Sequence, residues 1–97
     1  MKTIKQIQNI INHNKPVLKD IYKVKKLELF GSYVRGEEKE TSDLDILAEF
    51  SEPVSLLDIV GLENYLSDIL NIDVDIVPKQ NIRKELKATI LKEAIPV

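Results

Sequence analysis

Isoleucine recurs at positions 4, 7, 10 and 11, the spacing of one helix face, and Thr3 stands where an N-cap belongs. Asn14-Lys15-Pro16 interrupts that stripe, because proline is welcome only in a helix's first turn. Val17, Leu18, Ile21, Tyr22 and Val24 then resume the helical spacing. Leu27–Phe30 is short, apolar and ended by Gly31, which predicts a strand. Tyr33–Glu40 is polar and turn-like, with room for one helical turn. Leu44–Phe50 predicts a second strand, ended by Glu52-Pro53. Ser55 can cap a helix that runs to about Leu70 and carries Leu56, Ile59, Val60, Leu62, Leu66, Ile69 and Leu70. Asp73–Val77 alternates acid and aliphatic, a half-buried strand stopped by Pro78. Ile82, Leu86, Ile90, Leu91 and Ala94 mark a last amphipathic helix. This mixed order predicts an α+β fold, a small sheet with helices packed against it, as a single domain over residues 1–97. The apolar band on the 55–70 helix is wider than one core needs. Extra core is the simpler explanation, and a partner or homo-oligomer interface the sharper one.

Composition narrows the chemistry. The 97 residues include no cysteine and one histidine, His13. Thiol nucleophiles, disulfides and Cys- or His-rich zinc sites are therefore excluded. No apolar run approaches the ~20 residues of a membrane-spanning helix, and Lys2 and Lys5 lead into an amphipathic stretch rather than a signal peptide. The expectation is a cytoplasmic domain with no membrane partner.

The net charge of −2 conceals a division. Residues 1–26 balance at +6, residues 27–78 at −11 and residues 79–97 at +3. Carboxylates at that density form either a solvated face or a cation site. Asp43 and Asp45 lie two apart on a predicted strand, so both point to one face while Leu44 and Ile46 point to the other. Asp73 and Asp75 repeat the arrangement on the later strand. If the strands are neighbours, at least three carboxylates converge and repel one another, a conflict that a divalent cation resolves. Just upstream, Gly31-Ser32 follows a strand directly, with Gly36 four residues beyond Ser32. Glycine lets a phosphate approach the backbone, the Ser32 hydroxyl can donate to it, and Arg35 can add a charge-assisted contact. Phosphate donors followed by a carboxylate pair describe a nucleoside-triphosphate site. No Gly-Lys-Ser/Thr is present, so this is not a P-loop.

Gly31-Ser32, ten residues, then Asp43-Leu44-Asp45 resembles the signature of the polymerase-β-type nucleotidyltransferases. The fuller strings Gly31-Ser32-Tyr33-Val34-Arg35-Gly36 and Ser42-Asp43-Leu44-Asp45-Ile46-Leu47, with Val74-Asp75-Ile76-Val77-Pro78 before a helix, are similar to its minimal (MNT-type) branch. The resemblance implies the nucleotidyltransferase fold with a mixed sheet, and a catalytic core over residues 27–97 behind an N-terminal helical segment. It implies ATP as co-substrate and magnesium as cofactor, two ions in the usual chemistry. Asp43 and Asp45 would be catalytic metal ligands, and Asp75 would complete the metal site and help activate the acceptor hydroxyl. Gly31 and Ser32 would hold the triphosphate. MNT-type proteins commonly act as antitoxins of type VII toxin–antitoxin modules. They silence a HEPN-type ribonuclease toxin by adenylylating one of its tyrosines. Two other readings stand beside this one: a non-catalytic module that occludes its partner, and a small-molecule nucleotidyltransferase of the aminoglycoside-modifying kind.

Several residues have plainer explanations. Arg35 is as well suited to an ion pair with Glu37, Glu38 or Glu40 as to a phosphate. Asp73 is expected to be exposed or to stand behind the ligands, Tyr33 to pack at the rim, and His13 to serve at the surface or a helix end. Lys19, Lys23, Lys25 and Lys26 lack interleaved aromatics and suit the solvated face of a helix, which weighs against nucleic acid as a partner.

Overall fold

A computed structural model describes residues 2–97. Helix α1 (Ile4–His13) begins at a capping box. Thr3 Oγ1 accepts from the Gln6 N–H at 3.1 Å, and the Thr3 N–H donates to Gln6 Oε1 at 2.9 Å. Helix α2 (Lys15–Asp20) restarts after Asn14 with Pro16 in its first turn. Asn14 is the elbow between them: its Nδ2 donates to the Ile10 carbonyl at 2.8 Å, and its Oδ1 accepts from the Tyr65 hydroxyl at 2.8 Å. His13 is exposed and caps its own helix, with Nδ1 2.9 Å from the Asn9 carbonyl oxygen, as expected.

The sheet contains β1 (Val24–Phe30), β2 (Leu44–Phe50), β3 (Val74–Pro78) and β4 (Ile95–Pro96) in the order β3-β2-β1-β4. β1 runs antiparallel to β2 and β4, while β2 and β3 run parallel, so the sheet is mixed. The one-turn helix α3 (Ser32–Arg35) leaves the end of β1, α4 (Leu56–Leu70) makes the parallel crossover, and α5 (Lys84–Glu93) leads into β4. The mixed sheet and packed helices agree with the expected α+β architecture.

Two local readings are corrected. Val24 begins β1 rather than extending a helix, because Lys23 takes a left-handed φ of 59° and turns the chain into the sheet. Val24 there pairs with Phe50, and Lys25 and Lys26 stand on a strand rather than on a helix face. β4 was not expected, since two residues carry no alternation to read. Long-range contacts create it: Leu29 pairs with Ile95, the Val97 N–H donates to the Leu27 carbonyl at 3.1 Å, and Gln8 Nε2 donates to the Pro96 carbonyl at 3.1 Å.

One face of the sheet is covered. Leu27 and Leu29 of β1, Leu44, Ile46 and Ala48 of β2, and Ile76 of β3 pack with Ile7, Ile11, Leu18, Leu62, Leu66 and Leu70 of the helices. Burying a large aliphatic side chain is worth roughly 1.5–3 kcal/mol, so this layer holds the fold. Helix α4 is fixed at both ends of its path. Ser55 and Asp58 form a capping box, while Ser67 Oγ and Glu63 Oε2 accept the outward N–H groups of Val74 and Ile76 on edge strand β3. The extra-core explanation of its wide apolar band holds for Ile59, Leu62, Leu66, Ile69 and Leu70 only, because Leu56, Leu57 and Val60 are 75%, 82% and 41% exposed. Helix α5 buries no side chain.

Candidate functional site

The opposite face carries the acids. Register sets Asp45 directly beside Asp75 on the parallel strand and opposite Phe30 on the antiparallel one. Paired residues share a face, so Asp45 and Asp75 point the same way, and Asp43, two residues before Asp45, follows them. Asp45 is half-buried, whereas Asp43 and Asp75 are exposed. Burial above all, then the charges of Asp75 and Asp43, pushes the Asp45 carboxyl above the usual carboxylate range; Arg35 pulls weakly the other way.

Gly31 forms the floor beside them. Its φ of 83° is the left-handed region that favours glycine, and a Cβ there would collide with the Asp45 carboxylate. The Gly31 carbonyl accepts from the N–H groups of Val34 and Arg35 at 3.1 Å, which starts α3 and places half-buried Ser32 at its head. Gly36, at φ 72°, ends that turn. The structure therefore brings Gly31, Arg35, Asp43, Asp45 and Asp75 into one neighbourhood, with Ser32 next to Gly31.

Arg35 is held by carboxylates, as its plainer explanation expected. Its Nε donates to Glu37 Oε1 at 2.7 Å, and Nη1 donates to Glu93 Oε1 at 3.1 Å. The hydrogen bond to Glu37 is the main reason its charge is reinforced. Glu93 was missed at the level of sequence. The same Oε1 accepts the Gly31 N–H at 3.2 Å. A signal existed: Glu93 lies in the last turn of α5, where the helix dipole disfavours an acid.

The donor set suits a hard divalent cation in kind and charge. Asp45 is half-buried among acids, with Arg35 the cation that acts on it, and its carboxylate occupies the space a side chain at Gly31 would fill. Among the described residues no three His, Cys, Asp or Glu side chains are grouped so that they could hold a metal ion by themselves. That matches a Mg²⁺ site of one or two carboxylates completed by substrate phosphates and water. Tyr33 is buried in the core rather than at the rim, and burial first, then Glu38 and Asp43, raises its hydroxyl. Glu38 Oε2 is buried without a partner. Asp73 is exposed and precedes β3, contributing its carbonyl to the Leu44 N–H at 2.8 Å. It lines a broad hollow of about 1020 Å³ with Ser42, Tyr33 and the ends of α1 and α4, and none of the three site carboxylates opens into that hollow. No helix of the described residues is long and apolar enough to cross a membrane.

Residues 11–97 match the family described as nucleotidyltransferase domain. A Methanocaldococcus jannaschii protein named as a candidate protein adenylyltransferase is 54% identical over 82 residues, covering 84% of each chain. A solved structure described as a candidate minimal nucleotidyltransferase superimposes with a TM-score of 0.75 at 34% identity, over 94% of this chain and 95% of that one. A structure of a tri-AMPylated Shewanella oneidensis HEPN toxin with its MNT antitoxin matches with a TM-score of 0.67 at 24% identity, over 93% of this chain and 70% of that one.

Proposed function

The chain belongs to the nucleotidyltransferase domain family, and from that premise we propose that it transfers AMP from ATP to a tyrosine hydroxyl of a HEPN-type toxin, with Mg²⁺ as cofactor, as the antitoxin of a type VII module. The observation that carries the proposal is the register that sets Asp45 beside Asp75, with the Asp45 carboxylate lying against Gly31, whose missing side chain lets it approach the turn that would hold the phosphates. The family supplies the reaction class. The adenylyltransferase name of the 54%-identical relative, and the AMPylated HEPN toxin in the structural match, support the acceptor.

Asp43 and Asp45 would hold the metal, with Asp75 completing the set. Bound there, magnesium would supply charge neutralisation for the triphosphate and the leaving pyrophosphate. The turn at Gly31-Ser32 orients the phosphate chain by N–H and hydroxyl donation, and Arg35 adds positive charge. The acceptor oxygen bonds to the α-phosphorus, the bond to the bridging oxygen of pyrophosphate breaks, and Asp75 takes the hydroxyl proton.

The test incubates the protein with ATP labelled at the α-phosphate, Mg²⁺ and a HEPN-type partner. Label is expected on the partner, lost when the acceptor tyrosine is replaced by Phe. Neutralisation of the toxin without label would establish occlusion instead, and label on an aminoglycoside alone would establish the small-molecule activity.

A further inference from the structure

We propose that Glu93 is a resident anion of the phosphate seat, and that the phosphates of an incoming nucleotide displace its carboxylate. This rests on the nucleotide reading above. The two donors that Glu93 Oε1 accepts, the Gly31 N–H at 3.2 Å and Arg35 Nη1 at 3.1 Å, are those the turn offers to a phosphate oxygen. One carboxylate oxygen bridging a backbone N–H and a guanidinium reproduces the contacts of a phosphate oxygen in such a turn. With Glu37 on the Arg35 Nε, the guanidinium meets substrate already paired on two sides.

The seat of Glu93 explains why it can leave. An acid in the last turn of a helix is disfavoured by the carbonyl end of the helix dipole. Glu93 also faces Asp45, whose charge it repels. Its side chain keeps 23% of its surface open, on a helix that buries no residue. Its backbone is pinned from the other side, since Ile95 pairs with Leu29 two residues later. The carboxylate can therefore rotate out while the strand stays in register. A triphosphate and Glu93 cannot share one donor pair without strong like-charge repulsion. The nucleotide brings more charge and its own cation, and so prevails. Glu93 thereby lowers the affinity of the seat for every anion.

Calorimetric titration with Mg²⁺ and AMP-PNP tests this on the full chain, comparing wild type with Glu93→Gln and Glu93→Asp. Glutamine keeps an acceptor oxygen and removes the charge, so a merely structural Glu93 predicts equal or weaker binding. Displacement predicts that Glu93→Gln tightens binding about three- to tenfold, the scale of removing one like charge at close range in a partly solvated site. Glu93→Asp, which retains the charge but reaches less far, should fall between. Equal or weaker binding by Glu93→Gln overturns the displacement. If wild type itself binds no nucleotide, the functional reading fails first, and this inference with it. A second measurement serves if Glu93→Gln melts poorly. In wild type, carbon-13 NMR of the Glu93 carboxyl should move to the value of a solvated glutamate as nucleotide saturates. A carboxyl signal that stays fixed while nucleotide binds overturns the proposal.

Discussion

The two faces of the sheet are built by opposite rules. On the helix-covered face Leu29, Leu44 and Ile46 are fully buried against Ile7, Ile11, Leu62 and Leu66. On the other face Asp45 and Asp75 are paired by the same backbone ladder, and burial first, then the like charges of Asp75 and Asp43, raise the Asp45 carboxyl. Alternation at the start of β2 produces both, since Leu44 and Ile46 point one way and Asp45, with Asp43 just before the strand, the other. The covered face stabilises the domain, and the acid face costs stability. Charge held together at a cost is what a cation and phosphates can relieve.

The sharpest break in this comparison is Asp45→Asn. AMP transfer should fall about a thousandfold, the equivalent of roughly 4 kcal/mol of lost charge stabilisation, while the fold persists. The sign for stability is the reverse of a core mutation. Because folding raises the Asp45 carboxyl, its contribution is full below the ordinary carboxylate range and is lost as pH rises through the raised value. At neutral pH the charge works against folding, so the Asn variant should melt at or above wild type. The gap should close as pH falls, and denaturant titrations at two pH values check it. Leu66→Ala tests the other face. It should lose about 2–5 kcal/mol in urea unfolding, with activity following the folded fraction.

Gly31→Ala touches both faces' boundary. Its Cβ meets the Asp45 carboxylate at a left-handed φ, so roughly 1–3 kcal/mol of strain is expected together with loss of AMP-PNP binding. The smallest effect belongs to Ser55→Ala at the start of α4. Loss of the Ser55 Oγ that accepts from the Asp58 N–H should cost about 1 kcal/mol of stability and leave transfer by the folded protein unchanged.

Much of this was legible in the chain. The α1 stripe, the Thr3 and Ser55 caps, β2 and α4 are local patterns, and each stands where its pattern places it. The acid face was legible because strand alternation is strict, although only the parallel register set Asp75 beside Asp45. What escaped was non-local. Val24 fits a helical stripe and a strand equally, and the left-handed Lys23 decides between them. β4 exists only through β1. Glu93 reaches Gly31 across 62 positions, a distance no motif spacing records. Tyr33 looked like a rim residue because its neighbours are polar, yet its ring is in the core.

We propose that the acid face binds a metal-complexed nucleotide and does not hold the fold. Thermal unfolding of wild type and the Asp43→Asn/Asp45→Asn double variant, each with and without Mg²⁺ and AMP-PNP, tests it most directly. Wild type should gain stability with ligand, about 2.7 kcal/mol at a hundredfold excess over Kd. The double variant should melt at or above ligand-free wild type and gain nothing. An equal gain in both proteins, or a double variant that fails to fold, would contradict it.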